Sequence, residues 1–413
     1  MSEVALGRII ALAAFMWTYF GLCLGRIPGF RVDRTGIAII GAAAMVVTGV
    51  IPWDQAVAAV DAHTLVLLFG MMIVSAYLRL SGFFKLVTVW AVRQARGPLG
   101  LLVAVIGAAG VLSALFVNDV VCLVLAPLIL DVTRQLRLPP VPYLIALATA
   151  ANVGSVATLT GNPQNMLVGS FSGIAYRSFL LHEAPVALIG LGCVALVVWL
   201  VYRRQLAAAA FDPARLDTHF PVHYSLMIKT VVVVLVMLAG FLAGVPIALV
   251  AVGGAAYTLL NRRVKPAKVY REINWELLVL FTGLFVLIGG MEASGLTREL
   301  LRWAGAASLH RPAVLTAVSA ALSNLVSNVP AVLLFKSVIP SFGEPARGWL
   351  VLAMASTLAG NLTILGSVAN LIVVEAARAA RVEISFVEYC RVGVPLTLLT
   401  LAIGWLILSL VPV

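Results

Sequence analysis

Long apolar runs broken by short polar clusters set the pattern of this chain. The runs fall near residues 8–25, 35–52, 63–80, 99–117, 119–134, 141–160, 163–176, 184–202, 226–244, 246–261, 275–292, 311–328, 329–341, 348–363, 366–379 and 392–411. Many are apolar on all sides, as helices are when lipid or other apolar helices surround them. At about 20 residues per crossing, the chain has room for roughly ten to twelve spans or part-spans. Several runs are too short to cross alone. Those ending at Asn118, Gly161, Asn328 and Gly366 read as hairpins or unwound helices. The expected fold is all-α and polytopic.

The breaks carry the candidate chemistry. The first reads Phe116-Val117-Asn118-Asp119-Val120, and the second contains Asn152 and the run Thr158-Leu159-Thr160-Gly161-Asn162-Pro163-Gln164-Asn165. Lipid does not solvate amides, hydroxyls or a carboxylate, so these groups must face one another, water or a ligand. Gly161 and Pro163 stop a helix, and interrupted helices at membrane depth occur where they line a cavity. The later half of the chain offers Ser323-Asn324, Ser327-Asn328 and Pro330, then Ser356-Thr357, Asn361, Thr363, Gly366-Ser367 and Asn370. The candidate substrate-binding residues are therefore Asn118, Thr160, Asn162, Gln164, Asn165, Ser327, Asn328, Asn361, Thr363, Ser367 and Asn370. Gly161, Pro163, Pro330 and Gly366 are the candidate helix breakers. Single hydroxyls such as Ser155 and Thr158 have a plainer reading, as donors to their own preceding turn. Helices that start after each break present positive dipole ends, suited to an anion or a polar oxygen.

Of seventeen acidic residues, Asp119 is read as the one deepest in an apolar context. A carboxylate there is costly unless paired, hydrated or protonated, which makes it the candidate proton-coupling group. Its plain alternative is an N-cap for a helix beginning near Val120. Lys336, in an apolar run after Pro330, is either its charge partner or an interfacial cation with a buried stem. Glu276, Glu292 and Glu375 sit near span ends and read as interfacial. No Arg lies within the breaks to clamp a carboxylate, which tilts the substrate toward a neutral or weakly charged one.

The breaks also repeat. Gly70 with Ser81-Gly82 matches Gly283 with Ser294-Gly295, Leu112–Asn118 parallels Leu322–Asn328, and Thr158–Asn165 parallels Thr363–Asn370. Three matched blocks in the same order mark an internal duplication: a first repeat over 1–202, a polar cytoplasmic connector over 203–225, and a second repeat over 226–413. Loop 52–62 holds Asp54 and Asp61 and no Lys or Arg, whereas its counterpart holds Arg262, Arg263, Lys265, Lys268 and Arg271. Positive-inside sorting then puts equivalent loops on opposite sides. The expected architecture is two inverted repeats whose broken helices and re-entrant hairpins meet at mid-membrane, as in many secondary transporters.

Composition narrows the function classes further. The 413 residues are 62% hydrophobic and only 11% charged, far from the balance of a soluble enzyme. The net charge of +11 is spread over short loops, with no basic face for nucleic acid. Cys23, Cys122, Cys193 and Cys390 show no CxxC spacing and the five histidines no metal-ligand spacing, so no metal or cofactor is expected. The first span lacks a small-residue cleavage site and is followed by Arg26 and Arg31, so it reads as a retained helix. No nucleophile–base pair or phosphate loop supports an enzyme.

At these residues the sequence resembles the ion transporter superfamily of arsenite efflux permeases, NhaD-type sodium/proton antiporters and citrate and dicarboxylate transporters. Phe116-Val117-Asn118-Asp119 is similar to the Asn-Asp element of arsenite permeases of the ArsB type. Ser327-Asn328-Val329-Pro330 is similar to their Asn-Asn-x-Pro break, and Thr160–Asn165 to the Gly-x-Pro-x-Asn loop of the wider family. The dicarboxylate branch carries a Ser-Asn-Thr motif in each half, from which this chain departs. The resemblance implies a multi-pass inner-membrane antiporter that exports arsenite, with antimonite, in exchange for protons. A homodimer and an arsenite-stimulated ATPase are its possible partners. The alternative is a sodium-coupled transporter of a small anion such as a dicarboxylate or oxyanion. Cys122, one turn after Asp119, offers a thiol to trivalent arsenic, although so tight a bond would slow release.

Overall fold

The computed structural model describes residues 3–25, 29–208, 211, 222–262 and 264–412, which form helices and no strand. The first half comprises α1 (Glu3–Leu24), α2 (Arg34–Val47), α3 (Trp53–Ala59), α4 (Ala62–Ser81), α5 (Phe83–Gln94), α6 (Pro98–Leu115), α7 (Asn118–Gln135), α8 (Pro140–Ser155), α9 (Pro163–Ser172) and α10 (Tyr176–Ala208). The second comprises α11 (Tyr224–Leu242), α12 (Ile247–Leu259), α13 (Pro266–Tyr270), α14 (Trp275–Ala293), α15 (Thr297–Ala306), α16 (Pro312–Val326), α17 (Asn328–Leu334), α18 (Pro345–Ala359), α19 (Val368–Ala379) and α20 (Phe386–Leu410). Among the described residues, seven helices are long and apolar enough to cross a bilayer: most of α1, then α4, α6, α10, α11, α14 and α20. The connector expected over 203–225 lies mostly outside the described residues, with α10 running on to Ala208 and α11 starting at Tyr224.

Polarity is arranged for lipid. Leu188, Val236, Leu249 and Leu398 are largely exposed on their helices, while Asn118, Asn152, Asn162, Asn165, Asn361 and Asn370 are buried. A water-soluble protein places these residue types the other way round. Isolated hydroxyls on the helices mostly donate one turn back, as Thr133 does to Ile129, Thr149 to Ile145 and Thr400 to Leu396. Their polarity is thereby hidden within the helix.

Two close crossings tie the halves together. A methyl group at Gly70 of α4 would sit 2.7 Å from the Ala251 carbonyl oxygen of α12, and one at Gly283 of α14 would sit 3.0 Å from the Ala38 carbonyl oxygen of α2. Only glycine lets the backbones approach this closely, the usual small-residue solution for helices in a membrane. Gly70 and Gly283 are 213 positions apart, as are Ala38 and Ala251, so one crossing is the counterpart of the other. Each half lends a helix to its partner, and the broken helices are enclosed between them.

Candidate functional site

Four interruptions converge inside this frame. Helix α6 ends at Leu115, and the extended residues Phe116 and Val117 lead into α7. Helix α8 ends at Ser155, and the chain is unwound until Asn162 caps α9 by accepting from the Asn165 amide, 2.8 Å away. In the second half, Ser327 separates α16 from α17 with a φ of +77°. Pro330 lies within the first turn of α17, where a missing N–H costs little, so the break itself falls at Ser327. Helix α18 ends at Ala359, a 3-10 turn covers Ile364–Gly366, and Ser367 caps α19.

Matching hydrogen bonds hold the two longer breaks. Asn165 Nδ2 donates to the carbonyls of Ser155 (3.0 Å) and Thr158 (2.9 Å). Asn370 Nδ2 donates to those of Gly360 (2.7 Å) and Thr363 (3.0 Å). Each residue of the second set lies 205 positions after its counterpart. Backbone carbonyls released by unwinding are thus satisfied from inside the protein, as membrane depth requires. Gly161 completes the first turn: a methyl group there would sit 2.3 Å from the Ser155 oxygen.

The halves are then stitched to each other. Asn152 Nδ2 donates to Asn361 Oδ1 (2.9 Å) and Asn370 Oδ1 (3.1 Å), while its Oδ1 accepts from Asn118 (2.9 Å) and Ser367 (3.0 Å). Thr357, 205 positions on, accepts from Asn162 (3.2 Å) and Gln164 (3.1 Å) and donates to Asn165 (3.4 Å). Asn152 and Thr357 are the two hubs of the network. Neither was among the candidate site residues, although both stand out as polar positions late in apolar runs.

A cavity of about 100 Å³ opens beside this network. Water needs about 10–15 Å³ on this measure, so the space suits several waters or one small polyoxygen solute. Its polar lining is Arg34, Asn118, Asp119, Gln164, Ser327, Asn328 and Ser367, and Pro163 and Pro330 also border it. Leu22, Leu277 and Leu280 bring α1 and α14 to its wall. Among the candidates, Asn162, Asn165, Asn361 and Asn370 are in the network behind it. Thr160 lies apart, its hydroxyl 3.3 Å from Tyr176 Oη, and Thr363 precedes the 3-10 turn. Single hydroxyls divide as well: Ser155 donates to Asn152 of its own helix, but Thr158 reaches across to Ala114 of α6.

The charges in the cavity differ from those expected. Asp119 lies in the first turn of α7 and is not its N-cap; Val117 holds that position without a side-chain bond. Lys336 is not its partner. That ammonium is 3.9 Å from Glu292 and lies over the Phe171 ring. The cation at the cavity is Arg34, delivered by the start of α2. Neither Arg34 nor Asp119 makes a hydrogen bond or ion pair with a described residue. Helices α7, α9 and α19 all begin at the cavity, so three positive dipole ends add to the guanidinium. Cys122 is fully buried and does not border the space.

Comparison with known proteins gives the family and the fold. The citrate transporter family model, CitMHS, matches residues 12–359. The chain belongs to that family. It is 31% identical to the silicon efflux transporter LSI3 of Oryza sativa subsp. japonica, over 98% of this chain and 96% of the relative. It is 30% identical to an uncharacterized transporter of Mycobacterium tuberculosis, over 96% and 97% of the two chains. In fold it is similar to the crystal structure of the Alcanivorax borkumensis YdaH transporter, with a TM-score of 0.60, 17% identity and coverage of 98% and 97%. This family member is a polytopic protein of the inner membrane and a transporter of small anions, not an enzyme.

Proposed function

We propose that the protein is a cation-coupled secondary transporter of a small oxyanion, built from two inverted repeats, with the cavity at the four breaks as its substrate site. The observation that carries this reading is the convergence of three helix N-termini and Arg34 on a space of about 100 Å³. Such a site favours a compact anion, and the neutral amides and hydroxyls of Asn118, Gln164, Asn328 and Ser367 complete its shell. The arsenite-for-proton exchange that the resemblance implies drew further support from the lack of an arginine at the breaks. Arg34 removes that ground and favours the alternative, a small anion. The relative named as a silicon efflux transporter supports a compact inorganic solute rather than a large polycarboxylate.

Asp119 is the coupling-cation site in this reading. Its carboxylate shares the cavity with the substrate, so a proton or sodium ion there offsets the charge that a second anion brings. The recurrence of crossings and break-holding hydrogen bonds at constant offsets supports the duplication, and the opposite charge of loops 52–62 and 262–271 supports its inversion.

The test is flux into proteoliposomes with arsenite, silicic acid, phosphate and citrate as probes, under an imposed pH or sodium gradient. Expected is saturable, gradient-driven transport of a small oxyanion, lowered at least tenfold by Arg34→Gln, with Asp119→Asn binding the probe but losing the response to the gradient. Gradient dependence then assigns the coupling ion. Saturable transport that is indifferent to both substitutions would sink the assignment of this cavity.

A further inference from the structure

A second carboxyl lies in the membrane core, away from the cavity. Glu183 of α10 is 0% exposed, and neither of its oxygens has a hydrogen-bond partner. Among the described residues, no cation pairs with it from the elements packed against α10. Helix α6 has no ionisable side chain and α8 only Tyr143; on α20, Glu388, Tyr389, Cys390 and Arg391 lie at the far end, where Glu388 meets Tyr202. Arg347 of α18 pairs with Glu344 and donates to the Val411 carbonyl, and Lys229 of α11 bonds the Leu260 carbonyl. On α10 itself, Arg177 is exposed, and the His182 ring lies against the carbonyls of Ser178 and Pro412 rather than the Glu183 carboxyl. An ionised carboxylate has nothing here to compensate its desolvation, so the acid form occupies this enclosure.

Its place along α10 links it to the first long break. Tyr176 reaches Thr160, and a methyl group at Gly190 would sit 2.7 Å from Val153 Cγ1. Glu183 is midway between these contacts, level with the unwound stretch 156–162. Pro185, two residues on, removes the helical hydrogen bond to the Leu181 carbonyl and weakens α10 at this turn. Pro395 occupies the like position in α20, which sets Gly393 against Glu183. Gly393 packs flush on the second break, where a methyl group would sit 2.4 Å from the Asn361 oxygen. Thus the first half keeps a carboxyl where the second keeps bare backbone. It contributes no hydrogen bond that stability would explain.

We propose that Glu183 is a proton-binding site of the transport cycle, separate from the cavity: neutral while enclosed as here, and open to water when the first break moves. It rests on the transporter reading but not on the identity of the substrate. The test is labelling of the full chain in proteoliposomes with dicyclohexylcarbodiimide, which adds to protonated carboxyls in apolar surroundings, read by peptide mass spectrometry. Expected is an adduct on Glu183 at acidic pH that declines several-fold at alkaline pH, disappears in Glu183→Gln and persists in Asp119→Asn. Probe-for-probe exchange of arsenite or phosphate by Glu183→Gln should continue, while its net flux responds several-fold less to pH than that of the wild type. No adduct at either pH, an adduct equal at both, or an unchanged pH response in Glu183→Gln would overturn the proposal. Wild-type protein that carries none of the probes would instead defeat the substrate reading, and the labelling still reports on Glu183.

Discussion

Replacing Asn152 with alanine tests whether the amide network holds the breaks together. The side chain is 1% exposed and makes four hydrogen bonds, to Asn118, Asn361, Asn370 and Ser367. Polar contacts between membrane helices average about 0.6 kcal/mol, because the unfolded chain in the bilayer also finds partners, so four come to roughly 2.4 kcal/mol. Counting instead the groups left without partners gives a higher figure. The Asn361 and Asn370 oxygens and the Asn118 amide each lose the one side-chain bond recorded for them, at about 1–3 kcal/mol apiece where water does not enter. The nearby cavity admits water to some of them, so we expect a loss of about 2–4 kcal/mol. Reversible unfolding in mixed micelles measures it, with Thr357→Val as the matched change at the other hub. A double-mutant cycle with Asn361→Ala should show strong coupling, since the two substitutions break the same bond. A loss below about 0.5 kcal/mol, the range of ordinary surface changes, would refute the view that the network joins the halves.

Two further outcomes follow from the same geometry. Gly161→Ala should abolish transport and lower the yield of folded protein, because its methyl group would sit 2.3 Å from the Ser155 carbonyl and 2.9 Å from that of Ser113; wild-type thermal stability in this variant would contradict the tight turn. Cys122→Ala should leave transport of arsenite and phosphate within about twofold of wild type, since the thiol is buried and off the cavity wall; a selective loss with arsenite would restore a thiol to the substrate path.

The breaks were legible in the sequence for a definite reason. Asn, Gln, Ser and Thr in a lipid-facing run have no solvent, so their clustering at Asn118, Asn162 and Asn328 marks where backbone or substrate must be satisfied. Sequence did not separate the residues that border the cavity from those that lock the loops, because an amide serves either purpose. Arg34 was illegible in a different way. It stands at the start of an apolar run, where an arginine looks like an ordinary interfacial cation, and only tertiary packing brings it to Asp119's cavity. Glu183 is hidden by a boundary: the apolar run in the sequence begins at 184, whereas α10 begins at Tyr176 and carries the carboxyl two turns inward. The polar look of Arg177, His182 and Glu183 imitates a loop, and packing against α8 and α20 overrides it.

The network also bears on how the site changes sides. Asn152 reaches Asn361 and Asn370 from α8, and Asn165 is reached from Thr357, so bonds from both halves cross where the breaks meet. If the halves rocked apart as rigid bodies, these buried bonds would have to open together in a medium that offers few substitutes. The cavity wall is built differently. On one side it is the network's own helix starts, at α7, α9 and α19; on the other it is Leu22 and Arg34 of α1 and α2 with Leu277 and Leu280 of α14, joined to the breaks mainly by apolar contact. The polar ties across that seam, from the Tyr19 hydroxyl to the Pro330 carbonyl and from Ser337 and Lys336 to Glu292 of α14, reach the short helix α17 and the segment after it rather than the network. Sliding along an apolar seam keeps area buried throughout, whereas parting the amides strands donors and acceptors. The energetics therefore favour a cycle in which the stitched breaks move as one body past α1, α2 and α14. In such a cycle Arg34 would stay with the wall while Asp119 travelled, so the separation of the two charges would change with the site.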